Sequence, residues 1–273
     1  MTIGFNYLGK LGQLGNQMFQ YAATLGVARY TGVTFSIPNH QEVFDDGIGN
    51  KLRIELFDCF NINPENTGIV NTEYILQEKG FEFDPTILHS SRQVDYTLYG
   101  FFQTEKYFKH CAREIREEQF TFKKHIIDEC KEIIEECFED PIALHIRRGD
   151  FLINSANHHN QTLDYYEEAL SKFDVKRQVV IFSDDPKWCM EQEMFSGDRF
   201  LVSEATGPYH DLYLMTQCSD FIIANSSYSW WGAWLSTNKD KKIIAPVNWF
   251  GSKGYTKDHD TKDIIPEDWI RIP

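Results

Sequence analysis

Nowhere do the 273 residues run to the roughly 18 consecutive apolar positions that a membrane-spanning helix requires, so no spanning segment is expected. Residues 1–20 lack a basic stretch followed by an apolar core, and they do not read as a secretory signal. No Cys-x-x-Cys pair occurs. Cys59, Cys111, Cys130, Cys137, Cys189 and Cys218 are scattered, several of them inside amphipathic or apolar stretches where Cys acts as a small hydrophobe. That pattern excludes a disulfide framework and a cysteine zinc site, and it fits a reducing compartment. A surplus of cations is missing too. The formal charge is −14, and such a surface repels polyanions at long range, so no nucleic-acid partner is expected. A small anionic ligand remains compatible if the few cations converge locally.

Hydrophobic residues make up 42% of the chain, enough for packed cores and against intrinsic disorder. Aromatics reach 15%, which suits stacking against sugars and bases and equally suits ordinary core packing. The length accommodates one large domain or two of about 120–150 residues. Alternation over residues 3–8 predicts a buried strand, followed by Gly9, Gly12 and Gly15 and then a helix over about 16–30. Gly32 is placed to stop that helix, and residues 33–37 read as the next strand. The glycine spacing is not the GxGxxG of a dinucleotide site and by itself indicates a tight strand-to-helix turn. Residues 38–102 show no regular pattern. Two charged amphipathic helices are predicted over 105–118 and 123–138, with a lobe boundary between residues 125 and 126.

From Pro141 onward the rhythm is regular. Strands are predicted over 142–146, 179–182, 200–202, 221–224 and 243–245, with helices over 163–173, 187–194, 210–217 and 230–237 between them. Such alternation indicates a parallel sheet with right-handed crossovers. In such sheets ligands sit beyond the carboxyl ends of the strands. The first strand carries His145 and is followed by Arg147, Arg148, Gly149 and Asp150. The second is followed by Ser183, Asp184 and Asp185, and the fourth by Asn225, Ser226, Ser227, Tyr228 and Ser229. Guanidinium groups bind phosphate through a bidentate fork. A hydroxyl-rich turn opening a helix offers unpaired N–H groups to an anion. Together these strand ends describe a diphosphate pocket that needs no metal.

Bland roles compete at each position. Ser183-Asp184-Asp185-Pro186 is also a helix-capping signal, the paired arginines could serve a surface salt bridge, and Asn225–Ser229 could only cap its helix. Asp211 could cap or face a helix dipole. His158 and His159 lack a metal-ligand partner at suitable spacing and read as exposed loop. Asp184 and Asp185 are adjacent and therefore point apart along a strand, so no metal is predicted. Trp230, Trp231 and Trp234 repeat at helical spacing and read as core.

Three segments resemble the α-1,2-fucosyltransferase family. They are Gly12-Gln13-Leu14-Gly15-Asn16-Gln17-Met18-Phe19-Gln20-Tyr21-Ala22, His145-Ile146-Arg147-Arg148-Gly149-Asp150-Phe151, and the block from Asp211 through Asn225-Ser226-Ser227-Tyr228-Ser229-Trp230-Trp231-Gly232-Ala233-Trp234. The HxRRxD pattern is similar, more distantly, to the α-1,6- and protein O-fucosyltransferases. The resemblance runs from residue 12 to about 250 and is specific everywhere except 38–102. It implies an α/β fold of GT-B type, two Rossmann-like lobes with parallel sheets and a cleft between them. Residues 1–125 would form the acceptor-side lobe and 126–273 the GDP-fucose lobe.

The resemblance further implies an inverting, metal-independent transfer of L-fucose from GDP-fucose to the 2-hydroxyl of a galactose-terminated oligosaccharide. Arg147 would contact the departing diphosphate, with His145, Arg148 and Asp150 shaping that pocket. Asp184 or Asp185, after Ser183, and Asp211 would address the guanine or ribose end. Asn225, Ser226, Ser227 and Tyr228 would hold phosphates and fucose, while Gly15 and Asn16 would face the sugar and acceptor. Asp150 is the titratable candidate for a base, since Asn16 can orient a hydroxyl but cannot take its proton. Two other readings stay open: a different nucleotide-sugar donor on the same fold, and a binding protein without turnover. The expected location is cytoplasmic, with at most peripheral contact with the inner membrane.

Overall fold

The computed structural model describes the whole chain except residues 48, 90–92 and 138, and of residues 136 and 137 it describes the backbone alone. Two compact units emerge. One comprises Met1–Lys123 with His259–Pro266, the other Lys124–Asp258 with Glu267–Pro273. The excursion over 259–266, inside the span expected for the second lobe, joins the first unit. Asp263 ties it there, accepting from the Phe83 N–H at 2.8 Å and pairing with Lys106 at 2.6 Å.

In the first unit, β1 (Thr2–Gly4), β2 (Thr34–Ser36), β3 (Ile75–Gln77) and β4 (Tyr96–Tyr99) form a parallel sheet in the order β2-β1-β4-β3. β1 is shorter than the apolar alternation predicts. The chain turns beyond it, with Leu8 donating to the Phe5 carbonyl, and Asn6 bonds Val70 through both its amide oxygen and its amide nitrogen. Helix α1 (Leu14–Thr31) follows. From Leu14 to Ala28 every residue but Asn16 is buried, so polar groups on this helix need partners within the protein. Gln17 donates to the carbonyls of Gly12 and Arg53 and accepts from Glu55, while Gln20 donates to the carbonyls of Leu11 and Gly100. These two amides pin the glycine turn to the helix. Gly32, at φ +71°, closes α1 in the left-handed conformation that a Cβ disfavours.

The helix predicted over 105–118 is broken. Its place is taken by short 3-10 turns at Glu105–Tyr107 and Lys109–Cys111, one helical turn at Ala112–Glu114 and a π turn at Ile115–Gln119. The cause is tertiary. Tyr107 and Phe108 are fully buried, and the Tyr107 carbonyl lies 2.1 Å from where a Cβ on Gly26 would stand. The backbone is drawn against α1, which a regular amphipathic helix could not follow.

The second unit opens with α2 (Lys124–Cys137); residue 138, the last of the predicted helix, lies outside the described residues. Its strands are β5 (Ile142–Ile146), β6 (Val179–Ser183), β7 (Phe200–Val202), β8 (Asp220–Ile222), β9 (Ile243–Pro246) and β10 (Ile270–Ile272). All pairings are parallel, in the order β10-β9-β8-β5-β6-β7. The helices between them are α3 (Gly149–Ile153), α4 (Leu163–Leu170), α5 (Pro186–Met190), α6 (Pro208–Thr216) and α7 (Ser227–Leu235). One face of the sheet packs Ile142, Leu144, Ile146, Val179 and Ile181 with Tyr165 and Tyr166 of α4. The tryptophans of α7 are core, as expected, Trp230 packing 5.4 Å from Trp269. The chain moves outward from β5 through β6 to β7, then returns to the other side of β5 with β8. The strand order therefore reverses between β5 and β8, which is where an open parallel sheet leaves a crevice for ligand.

Because a backbone carbonyl cannot swing aside, Gly26→Ala should cost roughly 1–3 kcal/mol of stability. Urea unfolding of the variant beside the parent protein measures this; an unchanged midpoint would mean that the approach of Tyr107 to α1 is misplaced.

Candidate functional site

The carboxyl ends of β5 and β6 bring two arginines and three aspartates into one ion-pair cluster. Arg147, with 21% of its side chain exposed, pairs through Nη2 with Asp150 at 2.5 Å and through Nη1 with Asp184 at 3.1 Å. Arg148 meets Asp185 at 3.1 Å, and its guanidinium lies 3.9 Å over the Trp188 ring. Asp184 also accepts the Arg148 backbone N–H at 2.9 Å. Gly149 is required beside it, since a Cβ there would stand 2.5 Å from the Asp184 carboxylate. The two adjacent carboxylates thus divide their work. Asp184 takes the Arg147 guanidinium and the Arg148 backbone N–H, whereas Asp185 takes the Arg148 guanidinium and also caps α5 through the Trp188 N–H; the Ser183 hydroxyl accepts the Asp185 N–H at 3.0 Å.

Across the crevice, β8 leads into Ser226 and α7. Ser226 makes no side-chain cap bond, and Ser227 is partly exposed at the first position of the helix. A helix opening of this kind leaves N–H groups without intrahelical partners and favours negative charge. Tyr228 donates its hydroxyl to the Pro208 carbonyl, and its ring lies 5.6 Å from that of His145. His145 is buried and its Nδ1 has no hydrogen-bond partner. Burial, and then the neighbouring Arg147 charge, lower its pKa to about 3, so the ring is neutral and polar at the reversal of the sheet. Asn225 sits apart from these groups in role. Its amide donates to the His159 and Trp249 carbonyls and accepts from Gln161, so its polar atoms hold two loops together.

Asp211, on α6, accepts the Ser203 hydroxyl at 2.5 Å. Burial raises its pKa to about 6, opposed by the Ser203 bond and the charge of His210. Ser203 follows β7 and lines a cavity of about 510 Å³ whose walls include Ile133, Val180, Val202 and Leu214. The strand-end rule applied to β7 as well would have found it. Gly15 and Asn16 lie at the start of α1 in the first unit, where the Asn16 amide oxygen accepts from Gln103 at 2.7 Å.

His158 corrects a sequence expectation. It is not an exposed loop residue: its ring stacks 4.0 Å from Phe151, and the Arg147 guanidinium lies 5.4 Å from that same Phe151 ring. Its pKa is lowered by burial first, with Asp150 raising and Arg147 lowering it. Among the described residues no group of three or more His, Cys, Asp or Glu side chains is arranged to hold a metal ion. Among the same residues no helix is long and apolar enough to cross a membrane.

The sequence matches the model of Glycosyl transferase family 11 over residues 3–273. Two Escherichia coli relatives cover nearly the whole of both chains. The O-antigen biosynthesis glycosyltransferase WbnK is 28% identical over 96% of this chain and 98% of its own. An α-1,2-colitosyltransferase is 29% identical over 96% of each. The galactoside α-(1,2)-fucosyltransferase 1 of Alouatta caraya is 25% identical over 82% of this chain and 63% of its own length. In fold the chain is similar to the α-1,6-fucosyltransferase NodZ crystallised with GDP, with TM-score 0.52 at 12% identity over 85% of this chain and 91% of that one. It is likewise similar to POFUT1 in complex with GDP, with TM-score 0.51 at 12% identity over 89% and 97%. The α/β architecture of parallel sheets is therefore the GT-B-like one of these fucosyltransferases.

Native His145 stays neutral down to about pH 3, while in the unfolded chain it protonates near its ordinary 6.5. Its contribution to stability is complete above about 6.5 and is lost as pH falls from there toward 3, by about 1.4 kcal/mol per pH unit. His145→Gln should lack that slope, which the difference between the two unfolding free energies from pH 7 to 5 measures. Parallel pH curves would place His145 in solvent.

Proposed function

This chain belongs to Glycosyl transferase family 11, and from that premise we propose that it transfers L-fucose from GDP-fucose to the 2-hydroxyl of a terminal galactose, with inversion and without a metal ion. The observation that carries the reading is the placement of Arg147 where the second sheet reverses, opposite the uncapped start of α7. Arg147 is the diphosphate ligand, oriented by Asp150 and Asp184. Arg148 is held by Asp185 at the edge of the same pocket. Ser226, Ser227 and the first N–H groups of α7 supply neutral donors to the phosphates and fucose, with the neutral His145 and Tyr228 beside them. Asp211, with Ser203 and the cavity beside it, takes the guanine or ribose end. Gly15 and Asn16 face the transferred sugar and the acceptor.

In the reaction the bond between fucose C1 and the β-phosphate oxygen breaks as the galactose hydroxyl oxygen bonds C1 from the opposite face. A β-linked donor thereby becomes an α-fucoside. Negative charge grows on the leaving diphosphate, where a preorganised guanidinium acts without reorganising. The hydroxyl proton passes to Asp150, the titratable carboxylate beside Arg147. A weak base suffices, since a dissociative transition state places most of the positive charge on fucose before the hydroxyl bonds. The names of the relatives support α-1,2 transfer to a galactoside. They also favour one second reading, in which the transferred sugar is colitose. Offering a fucosyl and a colitosyl donor in parallel separates the two.

Arg147→Ala should lose about 100–1000-fold in transfer from GDP-fucose to lactose while its circular dichroism stays that of the parent. The parent's rate should survive EDTA. A rate abolished by EDTA and restored by Mg²⁺ or Mn²⁺ contradicts the metal-free step, and GDP-fucose binding without GDP release would make the chain a binding protein.

A further inference from the structure

Asn16 is the one residue between Leu14 and Ala28 that is not buried, and its amide is held from two sides. Gly12, at φ +87°, leaves room for it, since a Cβ there would stand 2.1 Å from the Asn16 amide nitrogen. Gln103, itself 7% exposed, donates to the Asn16 amide oxygen at 2.7 Å. The bond to Gln103 engages the oxygen and leaves the amide NH₂ to be presented as a donor.

Gln103 owes its place to an unusual turn. β3 and β4 end side by side, Gln77 paired with Tyr99, and Glu78 and Gly100 are the next residue of each. The Glu78 carboxylate accepts the Phe101 N–H at 2.7 Å and the Phe102 N–H at 2.9 Å. Gly100 has φ +152° and no space for a side chain, a Cβ there lying 2.5 Å from that of Glu78. Phe102, fully buried between Phe5 and Tyr107, adopts φ +55°, a conformation that non-glycine residues rarely take unless the surroundings impose it. Removing the carboxylate would leave two backbone donors at a half-buried turn without partners.

We propose that Glu78 is a positioning residue whose carboxylate folds the turn over residues 100–103 and, through Gln103, sets the direction in which Asn16 presents its amide to the sugars. The inference rests on the reading that Asn16 faces them. It also gives that site a dependence on pH. Burial pushes the Glu78 carboxyl up to about 7, the bonds from Phe102 and Phe101 opposing and the charge of Glu82 adding to it. Among the described residues, Glu82 and Tyr107 are the titratable groups that act on it. Protonation removes the negative charge and makes one oxygen a weaker acceptor, so the bonds from the Phe101 and Phe102 N–H groups weaken as pH falls through about 7. The turn is held by the ionised form.

The test compares Asn16→Ala, Gln103→Ala, Glu78→Gln and the Asn16→Ala/Gln103→Ala double variant in the full chain. The readouts are transfer rate between about pH 5.5 and 8.5 and GDP binding by calorimetry. Gln103→Ala should lower transfer about 10–100-fold with GDP affinity unchanged, and it should cost nothing further in the Asn16→Ala background. Glu78→Gln should be similarly slow and should lack the parent's acid limb near pH 7. If Asn16→Ala is inactive while Gln103→Ala and Glu78→Gln run at the parent rate, the positioning role is wrong and the reading of Asn16 stands. If Asn16→Ala keeps the parent rate, the reading and the inference fall together. A Glu78→Gln chain that does not fold leaves the decision to Gln103→Ala and the double variant.

Discussion

The second sheet changes direction at β5, and the Arg147 side chain leaves the backbone one residue beyond that strand. A guanidinium on a flexible stem would ordinarily sample many rotamers. Here two carboxylates from different elements, Asp150 on α3 and Asp184 after β6, take two of its nitrogens. The pairing of Ile146 with Ser183 in the sheet register brings β6 alongside, so that Asp184 arrives within reach. Gly149 is part of the same constraint, because a side chain at that position would displace Asp184. Beside these contacts Asp185 pairs with Arg148 and caps α5, and the Phe151 ring stacks on His158.

Burial governs the charges around these frames more than ion pairing does. His145 and Asp211 in the second unit and Glu78 in the first are each pushed toward the neutral form chiefly by desolvation. Two of the three keep a polar duty nonetheless. Asp211 accepts Ser203, Glu78 accepts two backbone N–H groups, and His145 carries a buried nitrogen with no partner. Buried polar atoms are ordinarily paired, and an unpaired one is costly. A ligand that supplied the missing bond would recover that cost, which is consistent with a nucleotide entering where the sheet reverses.

The regular half of the chain was legible because its central strands β5, β6, β8 and β9 are mostly buried apolar runs, with helices of readable length between most of them. Arg147, Asp184, Ser226 and Tyr228 could accordingly be placed at strand ends from residue order alone. Residues 75–99 defeated the same reading: the helix described between β3 and β4 is the single turn Pro85–Leu88, so strand and helix do not alternate there at a readable length. The broken helix over 105–118 failed for another reason, since its charges keep helical spacing while Gly26, some eighty residues earlier, dictates the approach of its backbone. Asn225 was legible as a polar residue in a motif but not as the tie between two loops, because those loops meet only in space.

Local pattern by itself therefore determined the parallel α/β character, the strand ends that carry cations and hydroxyls, and the glycine turn before α1. Those depend on neighbours within a few residues, which periodicity records. Tertiary structure alone decided which arginine each of two adjacent aspartates holds, that His158 stacks rather than dangles, and that Glu78 accepts two N–H groups of the turn before Gln103. These are matters of register and burial between segments far apart in the chain, and a linear order of residues carries no distances.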